Sequence, residues 1–253
     1  MEPRDSAAFV TGGGSGLGAA VATTLASSGC YVTIFDRQGD EAQEIADGIG
    51  GYAFEGDVTS EKDVMRALDA ASEVGGTCRI VVNCAGIVHV ARILGRDGPM
   101  ALEDFRRTLE VNLVGTFNVM RLAAERIAAA DPDDTGERGV IVNTASIAAF
   151  EGQVGQASYA SSKGGVAALT LPAARAFAQH GIRINAVAPG VFATPMVRSL
   201  PENVQTALAA DVPFPRRLGR PEEFAEAVMY CIRSRYLNGT CLRLDGATRL
   251  PPR

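Results

Sequence analysis

Short apolar runs alternate with longer stretches of helical periodicity along almost the whole chain, and this alternation restricts the fold more than any other feature. β-Branched and apolar runs bounded by glycine, aspartate or proline predict strands over residues 7–11, 31–35, 79–82, 139–144, 182–188 and 240–244. Helical spacing of apolar residues predicts helices over residues 17–27, 39–49, 61–74, 102–129, 157–179 and 222–232. Alternating strands and helices are typical of right-handed βαβ units, so we expect an α/β fold with one parallel sheet and helices on both faces.

The chain of 253 residues contains no repeat and no linker that would divide it. We therefore expect a single domain over residues 1–253, built on a doubly wound sheet of the Rossmann type. Two stretches, 87–101 and 193–219, show neither pattern and follow predicted strands. Ligands of doubly wound folds bind beyond the carboxyl ends of the strands, so we predict that these stretches cover a binding site.

Composition and charge exclude several other classes of protein. Lysine and arginine number 24 against 29 aspartates and glutamates, and the formal net charge of -5 opposes general binding to nucleic acid. The apolar runs are too short to span a membrane. Five scattered cysteines without a CxxC pair, and only two histidines, predict neither disulfides nor a metal site. No leader-like segment begins the sequence, so we expect a cytoplasmic protein.

A glycine cluster follows the first predicted strand, where the next helix begins. Residues 11–18 read TGGGSGLG, and Gly14, Gly16 and Ala19 have the GxGxxG/A spacing. Glycines at these positions let backbone N–H groups and a helix N-terminus approach a pyrophosphate. A tight turn without a ligand explains the same spacing, so the cluster needs a second observation.

An acidic residue at the end of the second predicted strand provides that observation. Asp36 lies 24 residues after Gly12, near the distance at which an acid that binds the ribose is expected. Its carboxylate can accept hydrogen bonds from the ribose hydroxyls of NAD. The carboxylate would instead repel the 2′-phosphate of NADP. The Coulomb energy is roughly 4 kcal/mol for each pair of unit charges near 4 Å, at an effective dielectric of about 20. Arg37 could offset that repulsion or could be a solvated residue that opens a loop. We expect NAD as the cofactor.

A tyrosine and a lysine four residues apart share one face of a predicted helix. The hydroxyl of Tyr159 has an ordinary pKa near 10, which must fall by about 3 pH units, roughly 4 kcal/mol, for proton transfer at neutral pH. The ammonium of Lys163 and an oxidised nicotinamide supply energy of that order. Ser146 lies 13 residues before Tyr159 at the end of a predicted strand, where it can bond a substrate oxygen. A surface pair that shares a helix face by chance has the same spacing.

Asn112 lies inside the amphipathic stretch 102–129, although asparagine is a poor helix former. Its position predicts a kink or a buried polar partner. Water held there could relay protons from Lys163 to solvent. An asparagine on the helix surface fits the spacing equally well.

Five elements in order resemble those of the short-chain dehydrogenase/reductase family over essentially the whole chain. They are TGxxxGxG from Thr11, NxAG at residues 83–86, Asn112, Ser146 with Tyr159 and Lys163, and Pro189-Gly190. The resemblance implies catalytic roles for Asn112, Ser146, Tyr159 and Lys163. It implies an NAD site formed by Gly12, Ser15, Gly16, Leu17, Gly18, Asp36, Asp57, Val58, Asn83, Cys84, Ala85, Gly86, Tyr159, Lys163, Pro189, Gly190, Phe192 and Thr194. It implies substrate contacts from Ser146, Gln153, Gln156 and Tyr159.

The resemblance also implies the reaction, a reversible hydride transfer between a secondary alcohol and NAD in which Tyr159 removes the hydroxyl proton. Residues 57–64 and 145–156 resemble the branch of the family that oxidises 3-hydroxyacyl-CoA thioesters to 3-oxoacyl-CoA in fatty acid oxidation. A steroid or another hydrophobic alcohol is the alternative substrate, and a catalytically idle, dinucleotide-sensing scaffold is the alternative from another class. The family further implies a homotetramer, assembled partly through the helices over 102–129 and 157–179, with neither nucleic acid nor a membrane as partner.

Overall fold

The strands of the protein, seen in a computed structural model that describes residues 1–252, form one seven-stranded sheet and one small hairpin. Their bounds are β1 Ala7–Thr11, β2 Tyr31–Asp36, β3 Tyr52–Glu55, β4 Cys78–Asn83, β5 Leu94–Gly95, β6 Gly98–Pro99, β7 Gly139–Thr144, β8 Ile182–Pro189 and β9 Cys241–Leu244. The sheet has the order β3-β2-β1-β4-β7-β8-β9 with parallel pairings, and β5 and β6 form the antiparallel hairpin. The predicted single-domain, doubly wound α/β fold of the Rossmann type is confirmed.

Helices connect the strands and cover both faces of the sheet. Their bounds are α1 Gly16–Ser27, α2 Gly39–Ile49, α3 Glu61–Gly75, α4 Leu102–Leu109, α5 Thr116–Ala129, α6 Ala157–Phe177, α7 Pro195–Arg198, α8 Glu202–Ala210 and α9 Pro221–Arg233. A π-helix over Glu110–Gly115 joins α4 to α5, and short 3₁₀-helices span Ile147–Ala149 and Ala178–His180.

The interior strands are apolar on both faces because helices pack on both sides of them. In β1, whose five residues are all buried, Ala8 and Val10 belong to the core formed with α1, α2 and α9. Ala7 and Phe9 point the other way, into the core formed with α3, α5 and α6. Strands buried on both faces have continuous rather than alternating apolar sequences, which is why these runs were recognisable.

The strand order reverses at β1 and β4, and this reversal fixes where a ligand can bind. The chain leaves β1 towards β2 on one side, whereas β4 is followed on the other side by β7. The connections after β1 and β4 therefore diverge and leave a crevice at the carboxyl edge of the sheet.

The structure corrects several predicted elements. The edge strand β3 was not predicted, because its four residues are partly exposed and carry no apolar run. The stretch 193–219 was expected to be irregular but contains α7 and α8, and α8 has no buried residue that would mark its periodicity. The stretch 102–129 was predicted as one helix, but the π-helix interrupts it. The other irregular stretch, 87–101, contains the hairpin.

None of the helices in residues 1–252 is both long enough and apolar enough to cross a lipid bilayer.

Truncation of a fully buried sheet residue should destabilise the protein far more than the same change at the surface. Ile80 of β4 is 0% exposed, and we expect Ile80→Ala to lower the free energy of unfolding by about 2–5 kcal/mol. Ile93 is 71% exposed, and Ile93→Ala should change it by less than about 0.5 kcal/mol. Urea denaturation at equal protein concentrations measures both values. Equal changes in the free energy of unfolding for the two variants would contradict the placement of Ile80 in the core.

Candidate active site

The turn after β1 approaches neighbouring backbone so closely that it requires glycine. Gly12 has a φ of +65°, and a β-carbon there would lie 2.6 Å from the backbone nitrogen of Ala85. A β-carbon on Gly18 would overlap the carbonyl oxygen of Gly12. The turn therefore brings bare backbone and the N-terminal end of α1 to the crevice, where helix N–H groups favour a phosphate.

A single cleft of about 720 Å³ brings together most of the predicted site residues. From the predicted set, its wall contains Gly12, Ser15, Gly16, Leu17, Gly18, Asp36, Val58, Cys84, Ala85, Gly86, Ser146, Gln153, Gln156, Tyr159, Lys163, Pro189, Gly190, Phe192 and Thr194. Many of them follow directly on β1, β2, β4, β7 and β8, whose carboxyl ends meet at one edge of the sheet. Asp57, Asn83 and Asn112 do not line this wall.

Two of these three residues support the neighbours that do line the cleft. The carboxylate of Asp57 accepts hydrogen bonds from the backbone N–H and the hydroxyl of Thr59, at 2.9 and 2.8 Å. Asn83 is 2% exposed and donates to Asn143 at 2.8 Å, which joins β4 to β7. These hydrogen bonds fix the backbone next to Val58 and next to Cys84, the two neighbours that line the cleft.

Asp36 stands at the end of β2 beside the glycine turn. Its carboxylate accepts hydrogen bonds from the backbone N–H groups of Gly14 at 3.0 Å and Gln38 at 3.1 Å. These bonds fix the carboxylate at the cleft wall. The side chain of Arg37 is 58% exposed, and its Nε lies 3.7 Å from Oδ2 of Asp57. The guanidinium thus faces a second carboxylate, which weakens its ability to offset the charge of Asp36.

Helix α6 presents Tyr159 and Lys163 to the cleft one turn apart. The Nζ of Lys163 lies 5.9 Å from the centroid of the Tyr159 ring. Lys163 is 4% exposed and donates a hydrogen bond to the carbonyl oxygen of Thr144 at 2.7 Å. Ser146 begins the 3₁₀-helix after β7, where its hydroxyl accepts the N–H of Ala148 at 3.1 Å. The three side chains predicted to act together therefore share one space.

Burial dominates the acidity of these groups. It raises the pKa of Tyr159, while a hydrogen bond with Ser146 acts in the opposite direction. Burial also lowers the pKa of Lys163 from 10.5 to about 8. From the sequence we expected a lowered pKa for Tyr159; in the protein alone the direction is upward, because desolvation disfavours the phenolate. For the proton transfer expected of Tyr159, a lowered pKa would therefore require the positive charge of an oxidised nicotinamide as well as that of Lys163.

Asn112 lies in the π-helix and is 0% exposed. Its side chain accepts the N–H of Ile87 at 2.8 Å and donates to the carbonyl oxygen of Ile87 at 2.9 Å. It also donates to the hydroxyl of Ser162 at 3.0 Å, which in turn donates to the carbonyl oxygen of Tyr159 at 2.7 Å. The predicted buried polar partners are present, and the predicted distortion is the π-helix. Because these bonds occupy the amide, Asn112 holds the loop after β4 and the Tyr159 helix together.

Sequence reasoning named neither Ser162 nor six apolar residues of the cleft wall, although it predicted that stretches 87–101 and 193–219, which contain four of the six, cover a binding site. The apolar residues are Ile87, Val88, Val191, Val197, Leu208 and Leu250. They lie in or beside segments without clear periodicity. For Ser162, the only sequence signal was its place next to Lys163. Leu208 belongs to α8, which could have been found from the proline at position 201 and the helix formers that follow it.

The segment after β8 lines the cleft close to the glycine turn. Phe192 is 6% exposed, pairs with Gly219 in an isolated bridge, and packs edge-on against Phe224 with ring centroids 6.2 Å apart. The side chain of Thr194 approaches within 3.5 Å of the position that a β-carbon on Gly16 would occupy. The wall of the cleft therefore includes the backbone of the glycine turn and this anchored segment beside it.

Gln153 and Gln156 form the wall beyond Tyr159 and bond to each other. The N–H of Gln153 donates to Oε1 of Gln156 at 3.2 Å, and Nε2 of Gln156 donates to Oε1 of Gln153 at 3.4 Å. Glu151 anchors this segment, since it accepts two hydrogen bonds from Arg243 at 2.7 and 2.9 Å. A bidentate pair of this kind fixes orientation as well as distance.

The chemistry of the wall fits a nicotinamide dinucleotide. The glycine turn exposes N–H groups to a pyrophosphate, and Asp36 offers acceptors to ribose hydroxyls. The ammonium of Lys163 has three donors, and the carbonyl of Thr144 uses one of them. Within the described residues there is no group of three or more histidine, cysteine, aspartate or glutamate side chains that could hold a metal ion.

Comparison with known proteins extends the similarity to the whole chain. The sequence model of the family described as short chain dehydrogenase matches residues 6–205. The 3-hydroxyacyl-CoA dehydrogenase type-2 of Homo sapiens is 50% identical over 249 residues, which cover 97% of this chain and 95% of that protein. The protein of the same name from Bos taurus is 49% identical with the same coverage. The crystal structure of 3-hydroxyacyl-CoA dehydrogenase type-2 from Mycobacterium avium is similar with a TM-score of 0.95 and 43% identity over 98% of each chain.

The buried ammonium of Lys163 should give the protein a specific dependence of stability on pH. Its pKa falls from 10.5 to about 8 on folding, so between these values the unfolded state binds more protons and stability rises with pH. Lys163→Met removes this group at similar volume. We expect the free energy of unfolding of the wild type, relative to this variant, to increase by about 2 kcal/mol between pH 8 and pH 10. Urea titrations over this range measure it, and a constant difference would contradict the buried charge.

Proposed function

Because the chain belongs to the short-chain dehydrogenase family, we propose that it is an NAD-dependent dehydrogenase that converts 3-hydroxyacyl-CoA to 3-oxoacyl-CoA in fatty acid oxidation. Family membership makes the chain an oxidoreductase that acts on a small molecule with a nicotinamide dinucleotide. The observation that carries the proposal is the single cleft in which Tyr159, Ser146 and Lys163 face the same space as the glycine turn and Asp36. The thioester substrate is supported by the names of the relatives that share about half of the residues.

Tyr159 acts in this proposal as the general base that takes the proton of the substrate hydroxyl. Bound NAD supplies the ring carbon that accepts the hydride from C3 of the substrate. Ser146 donates a hydrogen bond to the oxygen as it becomes a carbonyl. The position of Ser146 is set by its own bond to the N–H of Ala148, and that of Tyr159 by helix α6. Ser146 is 7% exposed and Tyr159 is half-buried, which limits the access of water to the proton that is transferred.

Lys163 has two tasks in this reaction. Its ammonium binds ribose hydroxyls, and its charge favours the ionised form of Tyr159. The carbonyl of Thr144 orients the ammonium, and a β-carbon on Gly86 would lie only 3.6 Å from Nζ, so glycine leaves room beside it. Asn112 holds the turn of α6 that carries Tyr159, since it bonds to Ser162 and Ser162 donates to the carbonyl oxygen of Tyr159.

The remaining contacts with NAD are proposed along the cleft. Gly12, Ser15, Gly16, Leu17 and Gly18 hold the pyrophosphate side, and Asp36 binds the adenosine ribose. The other proposed contacts are Val58, Cys84, Ala85, Gly86, Pro189, Gly190, Phe192 and Thr194. Asp57 and Asn83 do not line the cleft, and we propose that they act on NAD binding through their neighbours Val58 and Cys84. Burial raises the pKa of Cys84 to about 11, so its thiol stays neutral and contributes packing. Substrate contacts are proposed for Ser146, Gln153, Gln156 and Tyr159.

A hydroxysteroid or another hydrophobic alcohol is the second candidate substrate, because apolar side chains form much of the cleft wall, among them Val191, Val197 and Leu208. A dinucleotide-sensing scaffold without catalysis is disfavoured, since it would have no use for a half-buried tyrosine in the same space as a buried serine and lysine.

We also propose a homotetramer in the cytoplasm. Val114 and Phe117 are 43% and 45% exposed beside one another in the helical stretch that was expected to form an interface, and Leu171 of α6 is 44% exposed. A second copy would cover this apolar surface. The cysteines of the described chain are unpaired, which fits a reducing compartment.

The direct test is NADH formation from 3-hydroxybutyryl-CoA by the purified protein, compared with a hydroxysteroid and a simple secondary alcohol. We expect the highest kcat/KM with the thioester. Turnover of the other alcohols without NADH formation from the thioester would refute the proposed substrate while leaving the reaction class intact.

Tyr159→Phe should separate chemistry from cofactor binding. Loss of the hydroxyl removes the proton acceptor, so we expect kcat to fall by about 10²–10⁴-fold. The dissociation constant for NAD, measured by fluorescence or calorimetry, should change little because the ring remains. Tyr236→Phe removes a hydroxyl from a fully exposed side chain and serves as the matched control. Retention of normal kcat in Tyr159→Phe would refute the mechanism.

Asp36→Asn should weaken the preference for NAD over NADP. The substitution removes the charge that repels a 2′-phosphate and keeps one carbonyl oxygen, which can accept one of the two N–H groups of Gly14 and Gln38 that now bond to separate carboxylate oxygens. We expect the ratio of kcat/KM for NAD to that for NADP to fall at least about tenfold, which corresponds to roughly 1.4 kcal/mol. Asp40→Asn removes a charge nearby, outside the cleft wall, and should leave the ratio unchanged. An unchanged ratio in Asp36→Asn would exclude this carboxylate as the discriminating group.

A further inference from the structure

The chain contains only two lysines, and one of them faces the active-site cleft. Lys62 lies in the first turn of α3 and is exposed, whereas Lys163 is 4% exposed and lines the cleft. Every other member of the 24 lysines and arginines is an arginine, whose guanidinium stays protonated. The amine chemistry of lysine side chains is therefore limited to two positions with very different surroundings.

The surroundings of the Lys163 nitrogen leave room for a second group beside it. Nζ donates to the carbonyl oxygen of Thr144 at 2.7 Å, so the lone pair of a neutral amine in this position points away from that oxygen. A β-carbon added to Gly86 would lie 3.6 Å from Nζ, which is ordinary contact distance. Because Gly86 and Lys163 both line the cleft, the space that glycine leaves beside Nζ is part of the cleft. A molecule in the cleft can therefore reach the nitrogen.

The ionisable groups beside Lys163 supply no negative charge near neutral pH. Burial raises the pKa of Tyr159, on the same helix, and raises the pKa of Cys84, which follows β4, to about 11. With both neighbours neutral, burial lowers the pKa of Lys163 to about 8. At pH 8 about half of the Nζ groups are then neutral, against about 0.3% for an amine of pKa 10.5. Only the neutral amine has a lone pair that can attack an electrophile.

We propose that Nζ of Lys163 is a site of self-acylation, at which acyl-CoA thioesters form an amide when NAD is not bound. The proposal rests on the thioester substrate proposed above, because such a substrate brings an electrophilic carbonyl carbon into the cleft that Lys163 lines. The lone pair of Nζ attacks this carbon, a C–N bond forms, and the C–S bond breaks. Coenzyme A leaves as the thiol, with the proton that the nitrogen loses.

The amide would inactivate the protein, because it removes the charge on which the site depends. An acylated Nζ is neutral and has one N–H donor, so it no longer provides the ammonium that binds ribose hydroxyls and favours the ionised form of Tyr159. Bound NAD occupies the same nitrogen through its ribose and shields it. Acyl thioesters therefore inactivate the protein when NAD is scarce and leave it active when NAD is in excess.

The test follows the acylation of both lysines in one protein. The purified protein is incubated at about pH 8 with butyryl-CoA, a thioester that lacks the 3-hydroxyl and is not oxidised, and its peptides are mapped by mass spectrometry. We expect Lys163 to be butyrylated at least tenfold faster than Lys62, despite its burial. Saturating NAD should slow the reaction of Lys163 at least tenfold and leave that of Lys62 unchanged. Dehydrogenase activity should fall in proportion to the modified fraction of Lys163.

Two controls connect the reactivity to the folded site. In protein unfolded by urea, both lysines should react at equal rates, because neither amine is then buried. Lys62→Arg removes the exposed amine, so it should keep wild-type activity and still be butyrylated at Lys163. With rising pH the rate at Lys163 should level off above about pH 8, whereas the rate at Lys62 should continue to rise towards about pH 10.

Several outcomes would overturn the proposal. These are equal rates at the two lysines of the folded protein, a rate at Lys163 that NAD does not change, and a label that hydroxylamine removes, which would place the acyl group on the thiol of Cys84. NADH formation from 3-hydroxybutyryl-CoA by untreated protein tests the proposed function separately. Activity on this thioester without acylation of Lys163 would remove the modification alone. Oxidation of other alcohols but not of the thioester would refute the proposed substrate, and with it the source of the acyl group.

Discussion

The buried ammonium of Lys163 is the interaction on which the rest of the active site depends. Removing a charge from water is costly, and the fold compensates with the carbonyl of Thr144 at 2.7 Å. Because Thr144 ends β7, this bond also fastens helix α6 to the carboxyl edge of the sheet. The remaining cost is visible in the lowered pKa of Lys163. A site of this kind gives up stability to keep a positive charge next to Tyr159, where the proposed reaction uses it.

A second set of hydrogen bonds helps to hold Lys163 and Tyr159 in their positions on α6. Asn112 connects the loop after β4, through Ile87, with the hydroxyl of Ser162 on α6. Ser162 then reaches the carbonyl of Tyr159. The π-helix is what turns the Asn112 side chain into this position, since a regular helix over the same residues would place it differently along the helix face. The distortion of the helix is thus explained by the polar contacts it permits.

The cofactor half of the cleft could be predicted from the sequence because its signals are local. The glycines of residues 11–18 and Asp36 occupy fixed places at the ends of strands, and the strands themselves are continuous apolar runs. The substrate half could not be predicted to the same degree. Leu208 and Leu250 reach the cleft from distant, weakly periodic segments, and Ser162 gains its role only through a contact 50 residues away in the chain. The pKa of Tyr159 likewise depends on burial, which no spacing of residues reveals.

The two halves of the cleft are also held by different means, and this difference bears on specificity. The cofactor side rests on the parallel ladder of β1, β2 and β4, where a shift of any strand would disturb its neighbours. The substrate side is anchored at separate points, such as the pair of Glu151 with Arg243 and the bond from Ala91 to Gly155. Between those points, side chains of the hairpin and of the segment before α6 can change without moving the ladder. Substitutions in these segments can therefore change the shape of the substrate pocket while Tyr159 and Lys163 keep their positions.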